Sequence, residues 1–579
     1  METTDKEACT ILVDVLVAHG VKRVVLSPGS RNAPLLVAIA RRDDIEKFVV
    51  VDERSAAFSA LGIAQQTGEP VAIVCTSGTA LLNYAPAVAE AYYQQLPLIV
   101  VSADRPKEWI DQDDSQTIRQ FEALAQFVKK SYDLPARCDD DTARWYVNRV
   151  VNDAMMEALS GRRSPVHINV QLDEPLTNMA AYAGPSRKIN MLTPSKELST
   201  ADVRLLVEEA KDKKILVIAG FHTPNCDLSE ALQCLSSMPN VAVLCETISN
   251  ITGDGMIRAI DRTLLAMPRG GEAEFVPDLL IVMGGAIISR IVKAFLRTNK
   301  ATRQWYVGMT DTTVDCMKTL TTRIITEPGT FFRQFADAYC RTEYSCDNGF
   351  AQAWKKLEKA GKERHDAYLS TVGWSDLKAF SVILPKIPSD WHVQLSNGTT
   401  IRYAQLFGDV LTQRNDCNRG VSGIDGSTST ALGASLAFGG ATLLITGDMS
   451  FSYDLSGLAS QYNGPRFKII VMCNGGGGIF RFIKSTSSLP ELDRYFEVHR
   501  DIPVDRYAAA FGFAYYEADS ETSLETALAD FFGENERAAI LAVKTDNSVS
   551  ASVLKNYFSR KNQKTIKRYN YEQQSLDSH

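Results

Sequence analysis

The sequence lacks any hydrophobic run long enough to span a membrane. Its most apolar stretches, such as 96–101 and 215–219, have only the length of a β-strand, whereas a membrane helix needs roughly 20 apolar residues. The opening segment, METTDKEACT, also lacks the basic start and apolar core of a secretory signal. We therefore expect a cytoplasmic protein without a membrane span.

The chain also lacks a regular spacing of cysteines and a net positive charge, and each absence excludes a class of protein. The eleven cysteines are scattered, with no CxxC pair and no cluster with histidine, so neither a disulfide framework nor a structural zinc site is expected. Acidic residues outnumber basic ones, 69 against 62, for a formal net charge of −7. A general nucleic-acid binder is usually basic, so no nucleic-acid partner is expected.

What the sequence does contain is a repeated alternation of short β-branched runs with helical stretches. We predict strands at 21–26, 48–51, 71–75, 98–101, 215–219, 241–245, 279–283, 391–395, 441–446, 467–473 and 538–543. Buried strands joined by helices indicate parallel sheets covered on both faces. The predicted fold is α/β, with three doubly wound, mainly parallel-sheet domains at 1–185, 186–347 and 348–579, the last ending in a polar, locally basic tail from about Lys555.

An acid and an amide follow two successive predicted strands of the third domain. Gly447 and then Asp448 follow the strand at 441–446, and Asn474 follows the strand at 467–473 and precedes four glycines. The carboxyl ends of parallel strands are where open α/β sheets bind ligands. Carboxylate and amide oxygens suit Mg²⁺, and glycines allow phosphate to approach the backbone. A capping aspartate and an ordinary glycine-rich turn are the alternative interpretation.

These residues resemble the cofactor motif of the thiamine diphosphate (ThDP)-dependent enzyme superfamily, in which GDG is followed one strand later by NN. Asn474 lies 26 positions after Asp448, but Met449 and Cys473 replace the second Gly and the first Asn. The resemblance implies Mg²⁺ (or Mn²⁺) bound by Asp448, Asn474 and the backbone carbonyl of Gly476. It also implies cofactor contacts at Gly447, Met449 and Ser450.

Glu53 follows the apolar run FVVV and precedes a predicted helix. Taken alone, an acid in this place often does no more than favour the helix dipole. Beside the metal motif it resembles the activating glutamate of the superfamily, which hydrogen-bonds the aminopyrimidine of ThDP and favours its imino form. The resemblance thus implies a pyrimidine-binding first domain, a central α/β domain and a diphosphate- and metal-binding third domain.

Several segments resemble one carboligase family of this superfamily, that of menaquinone biosynthesis. They are LSPGSRNAPL (26–35), DERSAAFSALG (52–62), SGTALLNYAPAVAEAYYQQLPLIVVSADRP (77–106), DQDDSQTIRQ (111–120), NRGVSGIDG (418–426) and GDMSFSYDL (447–455). That family joins 2-oxoglutarate to isochorismate with release of CO₂. Both substrates are dianions, so the resemblance implies a site supplied with cations and hydrogen-bond donors.

The resemblance also implies which side chains contact the substrates and the cofactor rings. The expected polar substrate contacts are Ser30, Arg31, Arg105, Gln116, Arg290, Arg402 and Arg419. Asn397 and Thr399 stand where the family often has Asn-Ser, so Thr399 either replaces the serine hydroxyl or that contact is lost. Ile424 is expected to lie as a wedge beneath ThDP. Ile479 and Phe480 are expected to form an apolar wall beside the second substrate. The alternatives are that each arginine forms only a surface ion pair and that each apolar residue occupies an ordinary core position.

Two other functions stay open at this point. Another ThDP-dependent carboligase, such as an acetolactate synthase-like enzyme, or a flavin-containing oxidase would need a smaller acceptor pocket or a flavin site in the central domain, and the arginines argue against both. A non-catalytic relative is disfavoured by the retention of Glu53, Asp448 and Asn474. In the superfamily the cofactor lies between the first domain of one subunit and the third of another, so we expect a homodimer or homotetramer.

Overall fold

The computed structural model describes residues 2–341, 347–408, 412–483, 485–534 and 536–559. The basic tail expected from about Lys555 therefore lies largely outside the described residues. The chain divides into two compact units. The first unit comprises Met1–Pro194, Asn418–Thr442 and Tyr453–Phe467, and the second comprises Ser195–Cys417, Leu443–Ser452 and Lys468–His579.

The described residues form strands and helices in the alternation that the sequence predicts. The strands are β1 (Glu2–Thr4), β2 (Arg23–Leu26), β3 (Glu46–Val49), β4 (Val71–Cys75), β5 (Leu98–Asp104), β6 (Ser131–Leu134), β7 (Val166–Gln171), β8 (Met179–Ala181), β9 (Ile215–Ala219), β10 (Val241–Cys245), β11 (Leu279–Met283), β12 (Arg303–Val307), β13 (Leu320–Ile324), β14 (His392–Leu395), β15 (Arg414–Asp416), β16 (Thr442–Gly447), β17 (Phe467–Cys473), β18 (Ala514–Ala518) and β19 (Ala539–Lys544). The α-helices are α1 (Glu7–Ala18), α2 (Ala33–Ala40), α3 (Glu53–Thr67), α4 (Thr79–Asn83), α5 (Ala85–Gln94), α6 (Asp141–Leu159), α7 (Thr200–Ala210), α8 (Cys226–Ser236), α9 (Ile260–Leu265), α10 (Arg290–Thr298), α11 (Pro328–Tyr339), α12 (Phe350–Leu369), α13 (Asp376–Ile383), α14 (Thr400–Phe407), α15 (Ser427–Ala437), α16 (Asp448–Tyr453), α17 (Ile479–Phe482), α18 (Val504–Ala510), α19 (Glu521–Phe532) and α20 (Asn547–Phe558). In the described ranges, no helix has the length and apolarity needed to cross a membrane.

Three large sheets confirm the predicted α/β class. The first unit holds a six-stranded parallel sheet in the order β3-β2-β4-β5-β7-β6. The second unit holds a five-stranded parallel sheet, β10-β9-β11-β12-β13, and a six-stranded sheet, β15-β14-β16-β17-β19-β18. Each sheet falls within the bounds of one predicted domain; those domain boundaries themselves stay a prediction.

The sheet of the first unit is covered on both faces, as parallel strands require. Ile73 of β4 packs in a hydrophobic core with Ala60 of α3, whereas the next residue, Val74, packs in the opposite core with Leu12 of α1. Consecutive side chains of a strand point to opposite faces, so a run such as VAIVC serves both cores. The run 48–51 differs, because Val49 and Val51 are exposed. It was expected to be buried throughout, but β3 lies at the sheet edge.

Helices α3 and α15 cross at van der Waals contact because each carries a glycine at the crossing point. A Cβ atom on Gly62 would lie 2.0 Å from the carbonyl oxygen of Thr430. A Cβ atom on Gly433 would lie 1.9 Å from the carbonyl oxygen of Ser59. Backbone atoms cannot rotate away as a side chain can, so no larger residue fits at either position without separating the helices.

Replacing Gly433 by alanine is expected to lower the free energy of unfolding by about 3 kcal/mol, because overpacking at a backbone contact forces the two helices apart. Urea unfolding followed by circular dichroism measures the change. Gly464→Ala is the matched control, since a Cβ atom at Gly464 meets nothing within 4 Å. Equal losses in the two variants would contradict the proposed backbone clash.

A buried carboxylate holds the first turn of α15. Asp454 is fully buried, and its side chain accepts hydrogen bonds from the Ser429 backbone N–H at 2.7 Å and from the Ser429 hydroxyl at 2.9 Å. Burial raises the pKa of Asp454 from 3.8 to about 6, against these donors and Arg54, which lower it. The folded protein therefore holds this proton more tightly than the unfolded chain.

This raised pKa predicts how the effect of Asp454→Asn on stability depends on pH. An acid whose pKa is raised by folding destabilises the fold when ionised, and this cost disappears as the pH falls from about 6 towards 4. The stability of Asp454→Asn relative to the unmodified chain should therefore rise by about 1 kcal/mol between pH 5 and pH 8. Thermal unfolding at the two pH values tests this, and a larger relative gain at pH 5 would contradict it.

Candidate active site

Asp448 lies at the carboxyl end of β16 and starts α16, as the sequence predicts. Its side chain is 2% exposed. One carboxylate oxygen accepts the Met449 N–H at 2.7 Å, and the other accepts the N–H groups of Gly475 and Gly476 at 2.8 and 3.0 Å. Burial raises the pKa of Asp448 to about 6, although these N–H donors lower it. The carboxylate thus joins the ends of β16 and β17, and no cationic side chain of the described part of the chain neutralises it.

Asn474 at the end of β17 is oriented by a residue that was not predicted. The Asn474 side-chain NH₂ group donates to the Asp376 carboxylate at 2.9 Å. Asp376 begins α13, is 2% exposed, and also accepts a hydrogen bond from the Thr545 hydroxyl. The Asn474 side-chain oxygen is buried and has no hydrogen-bond partner among the described residues. Asp376 therefore fixes which end of the amide remains available to a ligand.

Replacing Asp376 by asparagine is expected to weaken metal binding by about 10- to 100-fold, the usual cost of losing the group that orients a metal ligand. The Asn474 amide would lose its charged acceptor and could present NH₂ instead of oxygen to the cation. Titration of the protein with Mg²⁺ in the presence of ThDP measures the change without turnover. Asp366→Asn is the control, because Asp366 pairs with Lys362 on the exposed face of α12. An unchanged Mg²⁺ affinity in Asp376→Asn would contradict the orienting role.

The glycines after Asn474 are required by close packing. Gly475 and Gly476 have φ values of +89° and +138°, which side chains other than hydrogen rarely allow. A Cβ atom on Gly476 would lie 2.5 Å from the Glu497 carbonyl oxygen, and one on Gly478 would lie 2.3 Å from the Asn547 side chain. The Gly476 carbonyl, the predicted third metal ligand, accepts the Gly478 N–H at 2.8 Å and retains a second lone pair.

These groups fit a hard cation such as Mg²⁺. The described residues contain no cluster of three or more acidic, histidine or cysteine side chains able to hold a metal by themselves. Mg²⁺ accepts one or two protein ligands and completes its shell with phosphate oxygens and water. Among the described residues, no cationic side chain pairs with the buried Asp448 carboxylate, and no donor contacts the buried Asn474 oxygen. Asp448 and the Asn474 oxygen would hold such an ion, and the ion would give each group the partner it lacks.

Glu53 is the first residue of α3 and is half-buried. The preceding residue, Asp52, is the N-cap and accepts the Ser55 N–H at 3.0 Å, so Glu53 itself does not cap the helix. The Cys75 thiol at the end of β4 lies nearby: burial raises its pKa, and the negative charge of Glu53 raises it further. The Glu53 carboxylate thus stands at the carboxyl edge of the first sheet, where two strands end.

Asp104 at the end of β5 contacts the backbone of one predicted substrate arginine, Arg105, and interacts electrostatically with another, Arg31. Asp104 is 1% exposed and accepts the Arg105 N–H at 2.8 Å and the Asn169 amide at 3.0 Å. Burial raises the pKa of Asp104 to about 6, and the charge of Arg31 lowers it. Asp104 and Asn169 were not predicted, although Asp104 stands inside the SADRP segment. They hold the loop that carries Arg105.

The loop after β4 is tied to the segment that carries Gln116. The Gln116 side chain donates to the Ser77 carbonyl at 2.9 Å, and the Ser77 hydroxyl donates to the Gln116 carbonyl at 3.0 Å. Gln116 is exposed and has a φ of +53°. Ser30, which precedes Arg31, is also exposed. Both predicted substrate contacts are therefore accessible, and Gln116 is held in place by two hydrogen bonds with Ser77.

The RGVSGIDG segment is hydrogen-bonded to a buried acidic residue whose role was not predicted from the sequence. Glu90 of α5 is 1% exposed, and its carboxylate accepts the N–H groups of Gly420 and Val421, the latter at 2.8 Å. Burial raises the pKa of Glu90, and the positive charge of Arg419 is one of the effects that lower it. Ile424, the predicted wedge beneath ThDP, is 39% exposed, unlike an ordinary core isoleucine. Glu90 therefore positions the loop that presents both residues.

The remaining predicted contacts lie in the second unit. Arg290 is exposed at the start of α10, and Arg402 donates to the Gly398 carbonyl. Asn397 is 5% exposed and accepts a hydrogen bond from the Cys417 thiol at 3.5 Å. The half-buried residues of this group are Thr399, Ile479 and Phe480. Their contacts with substrate stay predictions, as do those of Gly447, Met449 and Ser450 with the cofactor.

Relatives of this chain are found over nearly its whole length. Residues 6–123 match the family model described as "Thiamine pyrophosphate enzyme, N-terminal TPP binding domain". The chain is 43% identical to the 2-succinyl-5-enolpyruvyl-6-hydroxy-3-cyclohexene-1-carboxylate synthase of Porphyromonas gingivalis, over 96% of this chain and 97% of that protein. It is 36% identical to the synthase of the same name from Flavobacterium johnsoniae, over 94% and 97%. For that of Bacteroides fragilis the identity is 34%, over 96% and 99%.

Identity of this extent, together with the matched cofactor domain and the parallel sheets that carry Glu53 and Asp448, establishes the class of the molecule. It is an enzyme that uses thiamine diphosphate, which is another name for thiamine pyrophosphate. The chain belongs to the 2-succinyl-5-enolpyruvyl-6-hydroxy-3-cyclohexene-1-carboxylate synthase family of menaquinone biosynthesis.

Proposed function

We propose that this enzyme joins 2-oxoglutarate to isochorismate, with release of CO₂, to form 2-succinyl-5-enolpyruvyl-6-hydroxy-3-cyclohexene-1-carboxylate. The observation that carries the proposal is the convergence of Asp448 and Asn474 at two neighbouring strand ends, with a buried oxygen free to bind a cation. ThDP supplies the carbanion chemistry when bound. The residues of the chain hold the cofactor, control its protonation and bind two dianions.

The metal centre is proposed to consist of Asp448, the Asn474 side-chain oxygen and the Gly476 carbonyl, with Mg²⁺ or Mn²⁺ as the ion. Gly447, Met449 and Ser450 would lie beside the diphosphate, and Ile424 would lie beneath the cofactor rings. The Gly476 carbonyl supports this arrangement, since it accepts the Gly478 N–H at 2.8 Å and retains a second lone pair for a metal ion.

Glu53 is proposed to share a proton with the aminopyrimidine ring of the cofactor. Its half-buried position at a strand end, with Asp52 already serving as the helix cap, leaves its carboxylate available for that hydrogen bond. A carboxylic acid placed in this way controls the tautomer of the ring rather than attacking substrate.

The substrates are proposed to be held by the arginines at the strand-end loops. Arg31, Arg105, Arg290, Arg402 and Arg419 would supply cationic donors for carboxylates. Ser30, Gln116, Asn397 and Thr399 would add neutral hydrogen bonds, and Ile479 and Phe480 would exclude water from the second substrate. The tilted ring contact of Phe480 with Phe496, at 5.7 Å between ring centroids, supports an apolar wall there.

We further propose that the active enzyme is a cytoplasmic homodimer or homotetramer, with Glu53 of one subunit and Asp448 of another acting on the same cofactor. Mixing an inactive Glu53→Gln variant with an inactive Asp448→Asn variant should then restore part of the activity. Hybrid dimers would contain one site with both residues intact. A monomer that turns over at assay concentration would contradict the shared site.

The reaction itself is tested by incubating the enzyme with ThDP, Mg²⁺, 2-oxoglutarate and isochorismate. Loss of isochorismate should match release of CO₂ one for one. Omission of isochorismate, and replacement of 2-oxoglutarate by pyruvate, are the controls. Absence of turnover, or equal turnover with pyruvate, would defeat the proposed function.

A further inference from the structure

Two of the arginines proposed to bind substrate are already paired with carboxylates of their own chain. Arg31 lies 3.0 Å from the Glu174 carboxylate, and Arg105 lies 2.7 Å from the Asp114 carboxylate. Each arginine also donates to a backbone carbonyl: Arg31 to Leu172 at 3.0 Å and Arg105 to Ser115 at 2.9 Å. The guanidinium groups are therefore held in place from one side while an acidic side chain takes the other.

The two acids differ from the third carboxylate of this cluster, Asp104. Asp104 is 1% exposed and is fixed by the Asn169 amide and the Arg105 backbone N–H. The side chain of Glu174, in contrast, is 63% exposed and that of Asp114 is 35% exposed. Asp104 is thus a permanent counter-ion, whereas Glu174 and Asp114 can rotate into solvent at little cost.

The charges of the cluster leave no excess of cations for a substrate. Two guanidinium groups, on Arg31 and Arg105, face three carboxylates, on Asp104, Glu174 and Asp114. A dianion that entered this region would find both guanidinium groups already paired with carboxylates. If Glu174 and Asp114 move away, the two carboxylates of a dianion replace them one for one, and the number of ion pairs is conserved.

On the basis of the proposed function, we propose that Glu174 and Asp114 are internal competitors that occupy the substrate arginines in the free enzyme and are displaced by the two carboxylates of a dianionic substrate. The displacement breaks only ion pairs and hydrogen bonds, and no covalent bond changes. A ligand with one carboxylate replaces only one of the pairs and so gains less. Glu174 and Asp114 would therefore determine specificity, by making the site favour dicarboxylates, without touching the reacting atoms.

The test uses glutarate, an unreactive five-carbon dicarboxylate, binding to the enzyme loaded with ThDP and Mg²⁺. Calorimetry should show that Glu174→Gln and Asp114→Asn each bind glutarate about two- to fivefold more tightly, the range expected for losing one exposed competing ion pair. In steady-state assays, KM for a substrate should fall while kcat changes little. A residue needed only for folding would not tighten binding when replaced.

Each variant has a matched control on the same loop. Asp173 is adjacent to Glu174 but lies 3.7 Å from Arg137, and Asp111 shares the Asp114 loop but pairs with Arg119 at 2.7 Å. Asp173→Asn and Asp111→Asn remove the same charge, so they report the general effect of a less negative surface. Glutarate affinity should change less in these controls than in Glu174→Gln and Asp114→Asn.

A double variant makes the assignment specific. In an Arg31→Gln background, Glu174→Gln should no longer increase glutarate affinity, because the arginine for which it competes is gone. Unchanged or weaker glutarate binding in both Glu174→Gln and Asp114→Asn would overturn the inference, as would equal gains in the controls. Because glutarate binding needs no turnover, this result is separate from failure of the coupling reaction, which would defeat the proposed function.

Discussion

Glu53→Gln is expected to reduce turnover by about 10²- to 10⁴-fold while the enzyme still binds ThDP, the range by which a positioned acid or base accelerates a reaction. Glutamine has nearly the same shape and can still form a hydrogen bond, but it cannot exchange a proton with the aminopyrimidine. The fold should be preserved, because Asp52 rather than Glu53 caps α3. Turnover with both substrates and ThDP affinity by calorimetry are the two measurements.

The control for this variant is Asp52→Asn, one residue earlier. Asparagine is as good an N-cap as aspartate, so this variant removes a charge beside Glu53 without removing the cap. It should lose far less activity than Glu53→Gln. Normal turnover in Glu53→Gln, or equal losses in the two variants, would remove the role assigned to Glu53.

Asp448→Asn is expected to weaken binding of ThDP and Mg²⁺ on the order of 100-fold or more, since it removes the only charged ligand of the proposed metal centre. The smaller change to asparagine is preferable to alanine, because the side-chain oxygen can still accept N–H groups from the glycine segment. Cofactor affinity is measured by titration with ThDP at fixed Mg²⁺, and again after the metal is removed by a chelator.

Asp454→Asn is the matched control for this loss of cofactor. Asp454 is as buried as Asp448, also accepts a backbone N–H and has a pKa raised by burial to about 6. It lies outside the proposed metal centre, so its replacement should leave ThDP affinity unchanged. Retention of cofactor by Asp448→Asn, or equal loss in Asp454→Asn, would show that Asp448 does not bind the metal.

Most strands in the sheet interiors were predictable because hydrophobic burial marks them directly, although the interior strands β7 and β12 were not predicted. The predicted bounds of β4, β9, β10, β11 and β17 agree with the structure. The strands β6, β13, β15 and β18 were not predicted, and each lies at the edge of a sheet. An edge strand has one neighbour and less need for apolar residues: β15, for instance, reads RND. Its position becomes evident only when the adjacent strand is in place.

The sequence by itself determined the α/β class, the strand-end positions of Asp448, Asn474 and Arg105, and the start of a helix near Glu53. These features are local, because they follow from apolar runs of strand length and from the residues directly after them. Resemblance to known motifs then connected them with ThDP.

Only the tertiary structure decided how those side chains are held and with what they are already paired. Asp376 contacts Asn474 across 98 positions, and Glu90 contacts Gly420 across 330. The pairing of Arg31 with Glu174 likewise joins two distant loops. The neighbouring sequence does not reveal such partners, because a buried acidic residue and an exposed one look alike in a sequence. Packing of the sheets and helices brings them together, and burial then makes each unpaired charge costly enough to require its partner.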